Sequence, residues 1–202
     1  GKHRKTGLMS METYKQALHW VRRCLQKGTQ TELNLFGVGE PTLNPDIVEM
    51  VAMARDLLPE RIPVHLNTNG NGMTAGLAYA LREAGVTAID VTGHDAFAAT
   101  RTIRIFKELG IKGQVSFDFI TSPNDWAGQV DWPKADYSYP CPWLHKGQAF
   151  VMSDGTVARC CIDAFATEPY GTVWDDLFKF RVGPIRLCDK CHSVPPVEEA
   201  AA

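Results

Sequence analysis

Four short runs of alternating apolar and polar residues, separated by segments with helical spacing, place the strongest constraint on the fold. The runs predict strands over residues 32–36, 62–68, 86–92 and 114–120. Helices are predicted over residues 10–27, 46–58, 74–84 and 96–109. Strands that alternate with helices of this length are parallel and joined by right-handed crossovers. The pattern therefore predicts an α/β fold built on a parallel sheet.

Within these strands every second residue is polar, which is unusual for a parallel sheet. Fully buried parallel strands read as continuous apolar runs, because helices cover both faces. A polar face that points into a barrel lumen would form a site rather than a packed core. The alternative is the solvent-facing side of an open sheet. The polar positions are Asn34, His65, Asn67, Asp90, Thr92, Ser116 and Asp118.

The first strand ends in a loop that contains Gly37, Gly39, Glu40 and Pro41. An apolar run that stops at two glycines, a carboxylate and a proline, just before a helix, reads as strand, loop and helix. We therefore expect the chemistry at this loop.

After residue 121 the helix and strand periodicity breaks, and the spacing of cysteines becomes the main signal. Cys188 and Cys191 form a C-x-x-C, which brings two thiolates to one metal or cluster. A hairpin is predicted with strands at 148–152 and 156–160, and it would present Cys160 and Cys161 on opposite faces. Four thiolates do not by themselves distinguish zinc from an iron–sulfur cluster. Cys24 lies at the edge of an apolar helix stripe and is interpreted as a structural thiol.

The overall composition excludes several classes of protein. A net charge of −2 gives no reason to expect nucleic acid as a partner. No apolar run approaches the length of a membrane span, so no membrane partner is expected. Six cysteines without a signal-like segment favour a reducing compartment, and the protein is expected to be cytoplasmic.

Two separated sets of motifs resemble one known family. Val38-Gly39-Glu40-Pro41 is similar to the Gly-Gly-Glu-Pro motif that follows the second barrel strand of the radical SAM superfamily, and Leu66-Asn67-Thr68-Asn69-Gly70 is similar to that family's third-strand ending. The tail resembles the SPASM/twitch extension, which carries an auxiliary iron–sulfur cluster. Its matching segments are 141–143, 154–163, 171–174 and 188–191. The resemblance extends from Gly7 to Cys191.

The resemblance implies an α/β fold with a partial (β/α)6-type parallel barrel that lacks its first strand. A small cysteine-rich α+β extension would follow it. The implied division is 1–130 for the partial barrel, 131–193 for the twitch-like domain and 194–202 for a flexible tail.

The implied activity is cleavage of S-adenosylmethionine to a 5′-deoxyadenosyl radical, which abstracts hydrogen from a substrate. A peptide is the implied substrate class, and flavodoxin or ferredoxin the implied electron donor. The first alternative is a dehydrogenase or epimerase of the same superfamily that acts on a small alcohol or sugar. The second is a non-catalytic peptide-binding module that contains zinc or an iron–sulfur cluster.

The resemblance also implies site residues. Gly39, Glu40 and Pro41 would lie in the segment that binds the amino group of S-adenosylmethionine. The candidate lumen contacts are Asn67, Asn69, Thr92 and Asp118, whose alternative role is polar filler hydrogen-bonded inside the barrel. The implied ligands of an auxiliary [4Fe-4S] cluster are Cys141, Cys160, Cys188 and Cys191, with Cys161 as the substitute for Cys160. No catalytic residue is assigned.

One family motif is absent from the 202 residues. The family's Cys-x-x-x-Cys-x-x-Cys supplies three thiolates and leaves one iron of a [4Fe-4S] cluster open to S-adenosylmethionine. The sequence contains no cysteines at that spacing. We expect these cysteines in an upstream segment, together with the first barrel strand; the alternative is a protein that has lost this cluster.

Overall fold

The computed structural model describes residues 7–26, 31–37, 39–93, 95–112, 115–116, 149–176 and 185–191. The chain divides into two compact units. One unit spans Gly7–Ile120 with Ser153–Gly155, and the other comprises Gly1–Thr6, Thr121–Met152 and Thr156–Ala202. The domain limits inferred from the sequence stay predictions.

A four-stranded parallel sheet forms the centre of the first unit. Its strands are β1 (Leu33–Leu35), β2 (Val64–Thr68), β3 (Ala88–Thr92) and β4 (Val115–Ser116), in the order β1-β2-β3-β4. Neighbouring strands pair in parallel, which confirms the parallel sheet predicted from the alternation of strands and helices. The predicted residues 117–120 of the fourth strand lie outside the described residues, as does any closure into a barrel.

Within the described residues of this unit, one α-helix precedes β1, and three α-helices and one short helical turn lie between the strands. The α-helices are α1 (Met11–Gln26), α2 (Ile47–Leu57), α3 (Ala75–Glu83) and α4 (Ala96–Leu109). Ser10 Oγ accepts a hydrogen bond from Thr13 N at 3.2 Å, so Ser10 caps α1. A 3₁₀ helix at Pro41–Leu43, between β1 and α2, was not predicted. None of the α-helices in the described ranges combines the length and apolar character that crossing a membrane requires.

The apolar face of the sheet packs against the helices. Val64, Leu66, Ile89 and Val91 are fully buried in a core shared with residues from all four α-helices. This burial removes apolar surface from water and is the main stabilising contribution of the unit. The opposite face carries Asn34, His65, Asn67, Asp90 and Thr92, which are exposed or partly exposed within the described residues. The predicted division into an apolar and a polar face is therefore confirmed.

The second unit contains a small antiparallel sheet. Its strands are β5 (Phe150–Val151), β6 (Thr156–Ala158) and β7 (Gly171–Thr172), in the order β5-β6-β7. The predicted hairpin is confirmed, and its turn contains Gly155 at a φ of 84°. The third strand, β7, was not predicted. A 3₁₀ helix at Arg186–Lys190 carries Cys188.

The structure corrects one prediction about the hairpin. β6 ends at Ala158, so Cys160 and Cys161 lie in the following turn rather than in a strand. Asp163 N donates to Cys160 O at 3.1 Å in this turn. The prediction that a strand presents these two cysteines on opposite faces is therefore wrong, because neither of them lies in a strand. The alternation of faces holds for extended strands and not for a tight turn.

Candidate functional site

The Glu40 carboxylate connects the loop after β1 to the end of β2. Its Oε1 accepts hydrogen bonds from Thr42 N at 3.0 Å, from Thr42 Oγ1 at 2.6 Å and from Thr68 Oγ1 at 2.6 Å. Its Oε2 accepts a hydrogen bond from Asn69 N at 2.8 Å. The two hydroxyl contacts have the short length typical of hydrogen bonds to a carboxylate. Glu40 also caps the Pro41–Leu43 3₁₀ helix, which explains why the chain turns there.

A cavity of about 320 Å³ lies beside this carboxylate, at the carboxyl ends of β1, β2 and β3. It is lined by backbone from a glycine-rich loop, by an aromatic ring and by amide, hydroxyl and carboxylate groups. The lining residues are Phe36, Gly37, Gly39, Glu40, Asn67, Thr68, Asn69 and Thr92. This position is where parallel α/β sheets bind their ligands.

Three of the polar side chains that line the cavity make local hydrogen bonds. Thr92 Oγ1 donates to Asn67 Oδ1 at 3.3 Å, which joins β3 to β2. Asn69 Oδ1 accepts from Asn71 N at 2.8 Å and stabilises the turn after β2. With its oxygen engaged, the Asn67 side chain retains its amide N–H groups as donors. The cavity therefore offers donors from Asn67 and acceptors from Thr92 close together.

Gly39 leaves open space at the cavity. A Cβ atom built on Gly39 would meet no atom within 4 Å. The fold therefore has room for a larger residue at position 39. A side chain there would extend into space available to a ligand.

The structure brings together most of the residues predicted for cofactor contact. Gly39, Glu40, Asn67, Asn69 and Thr92 line the same cavity. Pro41 is absent from the lining and begins the 3₁₀ helix instead. Asp118 lies outside the described residues.

Two site residues, Thr42 and Thr68, were missed by the reasoning from sequence. Both hydroxyl groups donate to Glu40, and Thr68 is 2% exposed. A signal for Thr68 was present, since it follows Val64 and Leu66 in the apolar register of β2 and is a polar residue at a buried position. A buried hydroxyl needs a partner, and the Glu40 carboxylate, in the loop after the neighbouring strand, was a candidate.

The cysteines of the second unit show backbone hydrogen bonds to sulfur. Cys160 Sγ accepts from Ile162 N at 3.4 Å, and Cys188 Sγ accepts from Ile185 N at 3.4 Å. The hydrogen bond with the Cys161 side chain, followed by burial, raises the pKa of the Cys160 thiol. Among the described residues no three His, Cys, Asp or Glu side chains lie close enough to hold a metal ion, and Cys141 is outside those residues.

Comparison with known proteins finds a family whose model matches part of this chain. The model of the radical SAM superfamily matches residues 1–98, which include the whole cavity lining. No curated protein matches the sequence.

The fold is similar to that of BtrN. The crystal structure of BtrN in complex with AdoMet and 2-DOIA has a TM-score of 0.66 and 22% sequence identity, over 86% of this chain and 69% of BtrN. A selenomethionine form of BtrN in an open conformation has a TM-score of 0.54 and 18% identity, over 83% of this chain and 64% of that one. At these identities the likeness establishes the fold.

Proposed function

We propose that this chain belongs to a radical S-adenosylmethionine enzyme and binds S-adenosylmethionine in the cavity at the carboxyl ends of β1, β2 and β3. The observation that carries the proposal is the convergence of Gly39, Glu40, Asn67, Asn69 and Thr92 on one cavity. Four of these residues belong to two motifs that are separate in sequence, the fifth, Thr92, ends β3, and all five lie in the segment matched by the radical SAM model.

The cavity fits such a ligand in size and chemistry. Its volume of about 320 Å³ lies within the range of about 300–1,000 Å³ that is usual for small-molecule sites. Its lining supplies backbone at Gly37 and Gly39, amide donors at Asn67, and a hydroxyl at Thr92. These groups suit the charged and hydroxylated parts of S-adenosylmethionine, with the 39–41 segment at its amino group and Asp118 as a further contact. BtrN, which has the same fold, was crystallised with AdoMet.

When bound to a reduced [4Fe-4S] cluster, S-adenosylmethionine supplies a 5′-deoxyadenosyl radical that abstracts hydrogen. The 202 residues contain no Cys-x-x-x-Cys-x-x-Cys, so we assign the thiolates of that cluster to residues outside them. The residues present here would bind and orient the cofactor, because the Asn67–Thr92 pair and the Glu40 network fix the cavity walls before a ligand enters. Flavodoxin or ferredoxin is proposed as the electron donor, in the cytoplasm.

The proposed substrate is a peptide, by analogy with radical SAM proteins that carry a twitch-like tail. A small alcohol or sugar is the second candidate, and one observation favours it. BtrN was crystallised with 2-DOIA in addition to AdoMet.

An auxiliary [4Fe-4S] cluster in the tail is the second part of the proposal, with Cys141, Cys160, Cys188 and Cys191 as its ligands and Cys161 as the substitute for Cys160. The hydrogen bonds from backbone N–H groups to Cys160 and Cys188 support it, since such bonds tune cluster-ligating sulfur. The described residues alone form no complete ligand set, and we assign no step of the reaction to this cluster.

The metal content of the protein distinguishes this proposal from the alternative of a zinc-containing binding module. Anaerobic reconstitution of the full-length protein is expected to give about eight iron atoms per polypeptide if both [4Fe-4S] clusters are present. About four iron atoms per polypeptide would mean that only one of the two proposed clusters is present. Stoichiometric zinc without iron would overturn the enzyme proposal.

A further inference from the structure

We propose that Arg101 is a positioning residue for the cavity at the carboxyl ends of β1, β2 and β3, and that it acts by holding the loop 69–72 after β2. The inference rests on the proposed function, because it concerns how this cavity binds S-adenosylmethionine. Arg101 lies in α4, outside residues 1–98 that the radical SAM model matches and outside the cavity lining. Its effect on a ligand would therefore pass through the loop.

The first observation is a pair of hydrogen bonds from one nitrogen atom of the guanidinium group. Arg101 Nη2 donates to Asn71 O at 2.9 Å and to Gly70 O at 3.2 Å. The two acceptors are 30 and 31 residues away in sequence. A charged donor forms stronger hydrogen bonds than a neutral one. A single side chain of α4 thus holds two consecutive peptide carbonyl groups of the loop.

The second observation is that the loop approaches α4 and β3 too closely for a side chain at position 70. Gly70 is buried and has a φ of 80°, a conformation that favours glycine. A Cβ atom there would lie 3.1 Å from Val91 Cγ1 and 3.2 Å from Thr102 Oγ1. The backbone comes this close to α4 because residue 70 is glycine, and Arg101 is the helix residue next to Thr102.

The third observation connects the held loop to the cavity. Asn71 O accepts from Arg101, and Asn71 N donates to Asn69 Oδ1 at 2.8 Å. Asn69 lines the cavity, and its own N–H donates to Glu40 Oε2 at 2.8 Å. The backbone of Asn71 therefore links the guanidinium group to the Asn69 side chain. Loss of Arg101 should allow the Asn71 backbone, and with it the Asn69 side chain, to adopt other orientations.

A binding cycle tests whether Arg101 acts through Asn69. The dissociation constant of S-adenosylmethionine is measured for the reconstituted full-length wild type, Arg101→Met, Asn69→Ala and the double variant. We expect Arg101→Met to weaken binding by about tenfold in the wild type, the effect of losing hydrogen bonds from a charged group. In the Asn69→Ala background it should weaken binding by less than about twofold, because no Asn69 side chain is left to position. An equal loss in the two backgrounds, or no loss in the wild type, would overturn the inference.

Arg104→Met is the matched control for the loss of positive charge. Arg104 is exposed on the same helix, three residues after Arg101. We expect this variant to bind S-adenosylmethionine with wild-type affinity. An equal loss of affinity in Arg104→Met and Arg101→Met would assign the effect to charge alone and overturn the inference.

A second arm needs no ligand and separates this inference from the proposed function. Hydrogen exchange of the ligand-free protein is compared between the wild type, Arg101→Met and Arg104→Met. The amides of Asn71 and Met73 should exchange faster in Arg101→Met alone, since both donate within the held loop, at 2.8 Å and 3.2 Å. Unchanged exchange of both amides would overturn the inference. Faster exchange in Arg101→Met, together with a wild type that binds no S-adenosylmethionine, would sustain the hold on the loop and refute the proposed function.

Discussion

A Cβ atom built on Gly72 would lie 2.6 Å from Oγ1 of Thr42, a distance that real Cβ contacts do not tolerate. The loop after β2 therefore passes directly over the hydroxyl group that donates to Glu40 at 2.6 Å. We predict that Gly72→Ala displaces the Thr42 hydroxyl and lowers the free energy of unfolding by about 1–3 kcal/mol, through strain and a lost hydrogen bond. Chemical denaturation measures the effect.

Two variants serve as controls for the Gly72 prediction. Gly76→Ala in α3 is expected to keep or raise stability by up to about 1 kcal/mol, because its Cβ would meet no atom closer than 4.0 Å. Thr42→Ala removes the clashing oxygen, so Gly72→Ala should cost less in that background than in the wild type. An equal loss of unfolding free energy in the two backgrounds would contradict the close contact between residue 72 and the Thr42 hydroxyl.

The Gly39→Ala variant is expected to change ligand affinity without changing the stability of the fold. Because a Cβ there would meet no atom within 4 Å, we predict a change in unfolding free energy within about 0.5 kcal/mol. The methyl group would occupy space beside the proposed ligand, so affinity for S-adenosylmethionine should fall by about tenfold or more. Equilibrium binding and denaturation on the same preparations measure both. An unchanged affinity would place the ligand elsewhere.

The buried Tyr14 hydroxyl should make the stability of the protein depend on pH in the alkaline range. Burial raises the pKa of its hydroxyl above the ordinary tyrosine value, partly opposed by the charge of Arg55. The folded state therefore holds this proton more tightly than the unfolded state. The associated stability is fully present below about pH 10 and is lost as pH rises beyond that value.

A Tyr14→Phe variant tests that account. The Tyr14 hydroxyl is buried without a hydrogen-bond partner among the described residues, so its removal should cost at most about 1 kcal/mol at neutral pH. The variant should lose stability less steeply than the wild type between about pH 10 and 11. Denaturation at a series of pH values measures the difference, and parallel curves would refute it.

Cysteine substitution tests the tail cluster. We predict that Cys188→Ala and Cys191→Ala each remove about four iron atoms per polypeptide from the reconstituted protein. Cys24→Ala is the matched control, because Cys24 lies in α1 of the other unit and should leave iron content unchanged. Iron loss from the Cys24 variant alone would reverse the assignment. Comparison of Cys160→Ala with Cys161→Ala identifies which of the two is the ligand.

The sheet and its helices were predictable because their signals are local. Alternation in β2 and β3 and helical spacing in α1 to α4 are set within each segment, and burial of Leu66 and Val91 follows directly. The cavity was predictable to the same extent, since parallel strands end at one edge. Five of its lining residues were inferred from that edge and from the motifs.

The features that sequence reasoning missed depend on distant partners. The 3₁₀ helix at Pro41–Leu43 is capped by the Glu40 side chain. The same carboxylate accepts a hydrogen bond from Thr68, which is 28 residues away in sequence. β7 has two residues and is defined by its pairing with β6. Cys160 and Cys161 were placed on a strand because the turn that ends β6 early has no strong local signal.

The most direct test of the central proposal is product formation. The full-length protein, reconstituted with iron and sulfide and reduced with dithionite, is incubated anaerobically with S-adenosylmethionine and analysed for 5′-deoxyadenosine. We predict its release by the wild type, and at least about a tenfold slower release by Gly39→Ala, whose fold should be intact. Absence of 5′-deoxyadenosine from wild-type protein that carries its full iron content would contradict the assignment as a radical S-adenosylmethionine enzyme.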